Sequence, residues 1–157
     1  MLYTDGAWYH RQWIYERFKV DLGSELCLCA ALLKEDQRNF HCWQYRRHII
    51  AIEQKYNSND TNKDSNIHND LLRQEYDYST EKILENFSNY SAFHHRTQYI
   101  LPLLFPSTSH PSLLAADVRG AGPDLNGTLL AAEFGLVENA VFTEPDDQSA
   151  WYDTTLY

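Results

Sequence analysis

An aromatic residue followed three positions later by arginine recurs along this chain, and no other feature restricts its fold so tightly. Trp8-Tyr9-His10-Arg11, Trp43-Gln44-Tyr45-Arg46 and Phe93-His94-His95-Arg96 carry the unit, and a fourth copy begins at Trp151. The upstream context recurs as well. Asn39-Phe40-His41-Cys42 precedes Trp43, Asn89-Tyr90-Ser91-Ala92 precedes Phe93, and Asp147-Gln148-Ser149-Ala150 precedes Trp151. Self-similarity of this kind marks a repeat array, in which each unit buries its apolar face only by stacking on its neighbours.

The first interval between anchors, from Trp8 to Trp43, is the shortest, and the two later ones are longer. Their excess falls in two tracts that offer nothing to a core: the Asn/Asp/Ser-rich run at 57–66, and 105–127, where Pro106, Pro111, Gly120, Gly122 and Pro123 break helices. With both removed, the period is about 35 residues, that of one helical hairpin in an array. Asn39, Asn89 and Asp147 stand where N-caps belong, so each anchor rides near the start of a helix. Its partner helix reads in 24–34, 69–85 and 125–143, where in the last Leu129, Phe134, Val137, Ala140 and Val141 recur at three and four. Strand-type alternation is missing. The pattern predicts helices near 5–19, 24–35, 40–56, 68–86, 90–104, 125–142 and 148–156, in a single repeat domain over 1–157.

On a helix, residues i and i+3 share a face, so the ring wedges between hairpins while the guanidinium reaches a carbonyl or carboxylate next door. Half of the eight arginines (Arg11, Arg46, Arg47 and Arg96) fall in these units. Trp8, Trp43, Phe93 and Trp151 therefore read as core, and Tyr45, Arg46 and Arg47 as joint or interface residues.

Charge excludes one class of partner. Against 13 Lys+Arg stand 22 Asp+Glu, a net −9 that gives nucleic acid nothing to hold. No apolar run approaches the roughly 20 residues of a spanning helix, and the first residues lack the order of a signal peptide, which implies a soluble, cytoplasmic protein. Cys27, Cys29 and Cys42 form neither a disulfide framework nor a zinc spacing, and on a helix Cys27 and Cys29 face apart. His94-His95 likewise diverge by about 100°, which opposes chelation at one site. Serine-hydrolase, zinc-protease and phosphate-loop motifs are missing.

A period of this size first suggests tetratricopeptide repeats, but those carry Trp-x-x-Leu-Gly, not Trp-x-x-Arg after an Asn-aromatic start. The segments 36–47 (Asp36-Gln37-Arg38-Asn39-Phe40-His41-Cys42-Trp43-Gln44-Tyr45-Arg46-Arg47), 86–96 (Asn86-Phe87-Ser88-Asn89-Tyr90-Ser91-Ala92-Phe93-His94-His95-Arg96) and 139–151 resemble protein prenyltransferase α-subunit repeats. The likeness is to Rab (type II) geranylgeranyltransferase α subunits in particular. It covers about residues 6–104 and 129–152. It implies an all-α right-handed superhelix of antiparallel hairpins, partnered with a β subunit that holds the zinc, the lipid pocket and the thiol chemistry. The reaction implied is transfer of geranylgeranyl from its diphosphate to C-terminal cysteines of Rab GTPases, presented by a Rab escort protein. No cofactor is expected on this chain, and a non-catalytic helical scaffold is the alternative.

The same resemblance places Arg38, Asn39 and His41 near the diphosphate, and makes Trp8, Arg11, Phe40, Trp43, Tyr45, Arg46, Arg47, Asn89, Tyr90, Phe93, His95, Arg96 and Trp151 repeat-motif or interface residues. A surface histidine remains the simpler account of His41, and an ion pair with Asp36 or Glu35 that of Arg38. Where the family carries Lys and Tyr, five and three positions before the first anchor, this chain has Tyr3 and Asp5. Exchanging a cation for a carboxylate beside a diphosphate weakens stabilisation of the leaving group.

Overall fold

The computed structural model describes residues 5–18, 20–59, 65–104 and 125–154. It contains α1 (Asp5–Phe18), α2 (Leu22–Glu35), α3 (Phe40–Asn59), α4 (Ser65–Glu85), α5 (Tyr90–Leu104), α6 (Leu125–Thr143) and α7 (Ser149–Thr154). Every regular element among the described residues is a helix. The chain divides into two compact units, Met1–His68 and Asn69–Tyr157.

One connector, built three times, makes the hairpins. After α2 the Asp36 N–H donates to Leu32 O at 3.0 Å, and Asn39 N–H donates back to Asp36 O at 3.1 Å. Asn39 then caps α3: its Oδ1 accepts from Cys42 N–H at 3.0 Å. In the second unit Asn86 and Asn89 repeat this, with Ala92 N–H donating to Asn89 Oδ1 at 3.2 Å. Glu144 and Asp147 do so again, Asp147 Oδ1 accepting from Ser149 N–H at 2.7 Å. Each cap satisfies an orphan first-turn donor, which stabilises a helix start by about 1 kcal/mol. The three expected N-caps are thus all caps.

In the first unit α3 packs against both α1 and α2. Its buried face carries Trp43, Tyr45, Ile49 and Ile50, met by Cys29 and Leu33 of α2 and by Trp8 and Tyr15 of α1. The Trp8 and Tyr45 rings are 5.5 Å apart and tilted at 47°. Trp43 buries its ring and still satisfies its indole, because Nε1 donates to Gln37 O at 2.9 Å. Trp8 Nε1 has no partner among the described residues; the position matching Gln37 is Leu2, which lies outside them. In the second unit α7 packs on α5 and α6, and Phe93, Ala92, Ile83, Leu72 and Ala140 are buried.

Several expectations need correction. Trp151 is 53% exposed rather than core. Phe134, read as part of the apolar face of α6, is exposed as well. The polar tract at 57–66 is partly helical, since α3 runs to Asn59 and α4 starts at Ser65; the second tract likewise ends inside α6, which starts at Leu125. Residues 60–64 and 105–124, the rest of both tracts, lie outside the described residues. α2 starts at Leu22 rather than Ser24, capped by Asp21, whose Oδ2 accepts from Ser24 N–H at 2.8 Å and from its hydroxyl at 2.9 Å.

Candidate functional site

In each unit an anchor arginine ends on a buried carboxylate of the next hairpin. Arg11 grips Glu25 of α2 with two bonds, Nε to Oε2 at 2.7 Å and Nη2 to Oε1 at 2.9 Å. Tyr45, from α3 of that hairpin, donates its hydroxyl to the same carboxylate at 2.9 Å. In the second unit Arg96 takes Glu133 of α6 at 2.6 and 2.7 Å, and Tyr76 donates to it at 3.1 Å. A two-pronged guanidinium–carboxylate pair fixes orientation as well as distance, so the joint sets the stagger of neighbouring hairpins.

The second function of the arginine is toward its own hairpin. Arg46 Nη1 donates to Leu26 O and Arg96 Nη1 to Tyr76 O, both at 3.2 Å, and these acceptors are the residues immediately after Glu25 and Glu75. Arg96 also donates to Thr80 Oγ1 at 2.6 Å and lies 3.9 Å over the Tyr76 ring. His95, matching Tyr45, meets Glu75 at 2.9 Å with both side chains buried. Burial, with the Glu25 bond, pushes the Tyr45 hydroxyl well above the ordinary tyrosine range, and Tyr76 is pushed up to about 12, by burial first. Both stay protonated donors.

The turn before α3 and the helix's first turn present the residues expected near a diphosphate. Asn39 is buried and spends its side-chain oxygen on the cap. Arg38 is exposed, with its backbone N–H on Asp36 Oδ1 at 3.2 Å. His41 is partly exposed, and its Nε2 stands 3.0 Å from Oδ1 of Asp5, at the start of α1. Phe40 lies exposed beside it, with ring centroids 5.7 Å apart. Arg38, Phe40 and His41 thus share one outward-facing turn, and Asp5 brings a carboxylate onto it. Tyr3 lies outside the described residues. In α5 the matching Tyr90 is also exposed and stacks on His94 at 6.1 Å.

His94 and His95 do face apart, one exposed and one buried on Glu75. Cys27 is exposed and Cys29 buried, also as expected for adjacent faces of one helix. Arg47 is half-buried. Among the described residues no three His, Cys, Asp or Glu side chains gather as a metal site, and no helix is long and apolar enough to cross a membrane.

Sequence reasoning missed Glu25, Glu75 and Glu133. The signal was there: each stands at position i−18 from its hairpin's anchor, at Trp43, Phe93 and Trp151 in turn. A glutamate inside an acidic chain reads as surface charge unless its fixed distance from the anchor is measured.

Repeated helical hairpins, capped alike and bolted through an arginine and a buried glutamate, define a helical-repeat protein of the solenoid class. Residues 22–52 and 72–101 match the protein prenyltransferase alpha subunit repeat, one match for α2 with α3 and one for α4 with α5. The chain is 36% identical over 148 residues to the geranylgeranyl transferase type-2 subunit alpha of Rattus norvegicus, and equally to that of Homo sapiens, covering 94% of this chain and 22% of each relative. The Saccharomyces cerevisiae subunit of the same name is 30% identical over 149 residues, 92% of this chain and 38% of the relative. The chain belongs to the protein prenyltransferase α-subunit repeat family, and it spans about a fifth of the length of its mammalian relatives.

Proposed function

We propose that this chain acts as the α-subunit repeat segment of a type-2 (Rab) protein geranylgeranyltransferase. The observation that supports this most is the coincidence of two levels: each of the two hairpins matched by the repeat family carries one side of an arginine–glutamate joint, Glu25 in the first and Arg96 in the second. In this reading the hairpins form a rigid wall for a β subunit, which supplies the lipid pocket and a zinc that lowers the pKa of the attacking thiol. Arg38, in the turn just before α3, and His41, in its first turn, face the departing diphosphate, with Asn39 capping the helix between them. A Rab escort protein presents the GTPase, and the assembly works in the cytoplasm.

Asp5 has a defined part in this proposal. A carboxylate 3.0 Å from His41 competes with an anion for the imidazole, so it weakens leaving-group stabilisation where negative charge develops. Asp5→Tyr, with Tyr3→Lys, should raise turnover with little change in lipid affinity.

The test is co-expression with the β subunit of a type-2 enzyme, followed by size-exclusion chromatography and a Rab prenylation time course with escort protein. A stable heterodimer that prenylates faster than the β subunit alone supports the assignment. A chain that never joins the β subunit, or that prenylates unaided, overturns it, and failure to join leaves the non-catalytic scaffold as the better account.

A further inference from the structure

Cys29 and Cys42 are opposed across one hairpin, Cys29 on α2 and Cys42 in the first turn of α3, and both are fully buried. The Cys42 thiol donates to Cys29 O at 3.5 Å, which sets the two cysteines side by side across the hairpin. Nothing in the repeat joint uses either sulfur. Cys27 is two positions from Cys29 but exposed, which supplies an internal comparison.

We propose that Cys29 and Cys42 are a paired dithiol that closes to an intramolecular disulfide when the chain meets a small-molecule disulfide such as oxidised glutathione. The inference does not depend on the prenylation reading. The Cys29 thiolate attacks one sulfur of the oxidant, breaking its S–S bond and releasing one glutathione thiolate. The Cys42 thiol loses its proton to solvent, its sulfur attacks Cys29 in the mixed disulfide, and the second glutathione leaves. Two cysteines are oxidised and one oxidant molecule is reduced to two thiols. Because both sulfurs are buried, the oxidant reaches them through local opening of the hairpin, and the mixed disulfide resolves when the hairpin recloses.

The two thiols are not equivalent. The bond donated by Cys42 holds Cys29 below the ordinary cysteine range against the effect of burial, with the Arg46 charge in support. That bond, then burial, pushes Cys42 up.

The experiment treats the full chain with oxidised glutathione in native buffer and in urea, blocks free thiols, and maps disulfides by mass spectrometry without reduction. The loops closed from Cys29 to Cys42 and from Cys27 to Cys42 differ in length only by Cys27-Leu28. In an unfolded chain, loop closure separates these by only about 1.2-fold. The native chain should therefore give Cys29–Cys42 almost alone, while urea gives both. Cys27→Ser should keep the native cross-link, and Cys29→Ser should stop at a glutathione adduct. Comparable amounts of both cross-links in native buffer, or no Cys29–Cys42 bond under conditions that glutathionylate Cys27, would overturn the proposal. The wild-type mapping decides this even if a variant fails to fold.

Discussion

Replacing Glu133 by alanine should destabilise the second unit severely, because it removes a two-pronged carboxylate acceptor from a buried cation. Arg96 is 1% exposed, and Glu133 takes both its Nε and Nη2 at 2.6 and 2.7 Å. Arg96 also donates through Nη1 to Tyr76 O, Ser79 Oγ and Thr80 Oγ1, so the variant takes from Nε and Nη2 the carboxylate they bind in a dry site. The Tyr76 hydroxyl loses its acceptor as well. Breaking one side of a buried pair costs about 3–5 kcal/mol. Glu133→Gln keeps the shape and one acceptor oxygen but faces a nitrogen donor with another donor, for about 2 kcal/mol. The double variant Arg96→Met with Glu133→Leu, which removes the charges together, should be close to wild type or more stable. Urea unfolding followed by far-ultraviolet circular dichroism, run as a double-mutant cycle, measures all of this. A Glu133→Ala loss under about 1 kcal/mol, or a double variant as unstable as the two single losses added, would refute the buried-joint account.

The anchors supply a matched contrast: Trp43→Ala should cost about 3–5 kcal/mol as a buried ring, whereas exposed Trp151→Ala should stay within about 0.5–1 kcal/mol, and equal losses in the same unfolding assay would contradict the burial pattern. Asn89→Ala should lower stability by about 1 kcal/mol and Asn89→Asp by much less, since the aspartate keeps the acceptor for Ala92 N–H. The Asp21 cap is pH-dependent: bonds from Ser24 lower its folded pKa from 3.8, so its contribution is full above that value and is lost as pH falls through the lower folded pKa. The thermal midpoint gap between wild type and Asp21→Ala should therefore shrink to nothing in that acid window, and a gap unchanged with pH would assign the cap another origin.

Which features were readable before the structure follows from what a one-dimensional pattern encodes. Caps and rings occupy fixed offsets, so Asn39, Asn89, Asp147 and the buried faces behind Trp43 and Phe93 were visible. Burial of Trp151 was misjudged because a repeated letter does not say whether a neighbour lies over it. At the start of α2 the signal was split, with Asp21 three positions ahead of Ser24 and Leu22-Gly23 between them weakening the helical appearance. The polar tract after Tyr56 gave no core face, yet the helices reach into it to Asn59 and from Ser65. There the intact backbone ladder of a long helix outweighs weak propensities. On the candidate turn of α3, the closeness of Asp5 to His41 joins the starts of two helices separated in the chain by all of α2, and no periodicity foretells such a meeting.

The constant offset between the buried glutamate and the anchor, the same in all three hairpins, also governs which length changes the architecture accepts. One residue added inside that interval would turn everything downstream by about 100° and swing either the carboxylate or the ring out of register with its partners. Between hairpins no such phase must be kept, and there this chain already carries the stretches 60–64, between Asn59 and Ser65, and 105–124, between Leu104 and Leu125. Lineages would therefore diversify by lengthening the joins and hardly ever the hairpins, and a reporter or affinity tag spliced at 60–64 or 105–124 should leave both carboxylate joints intact.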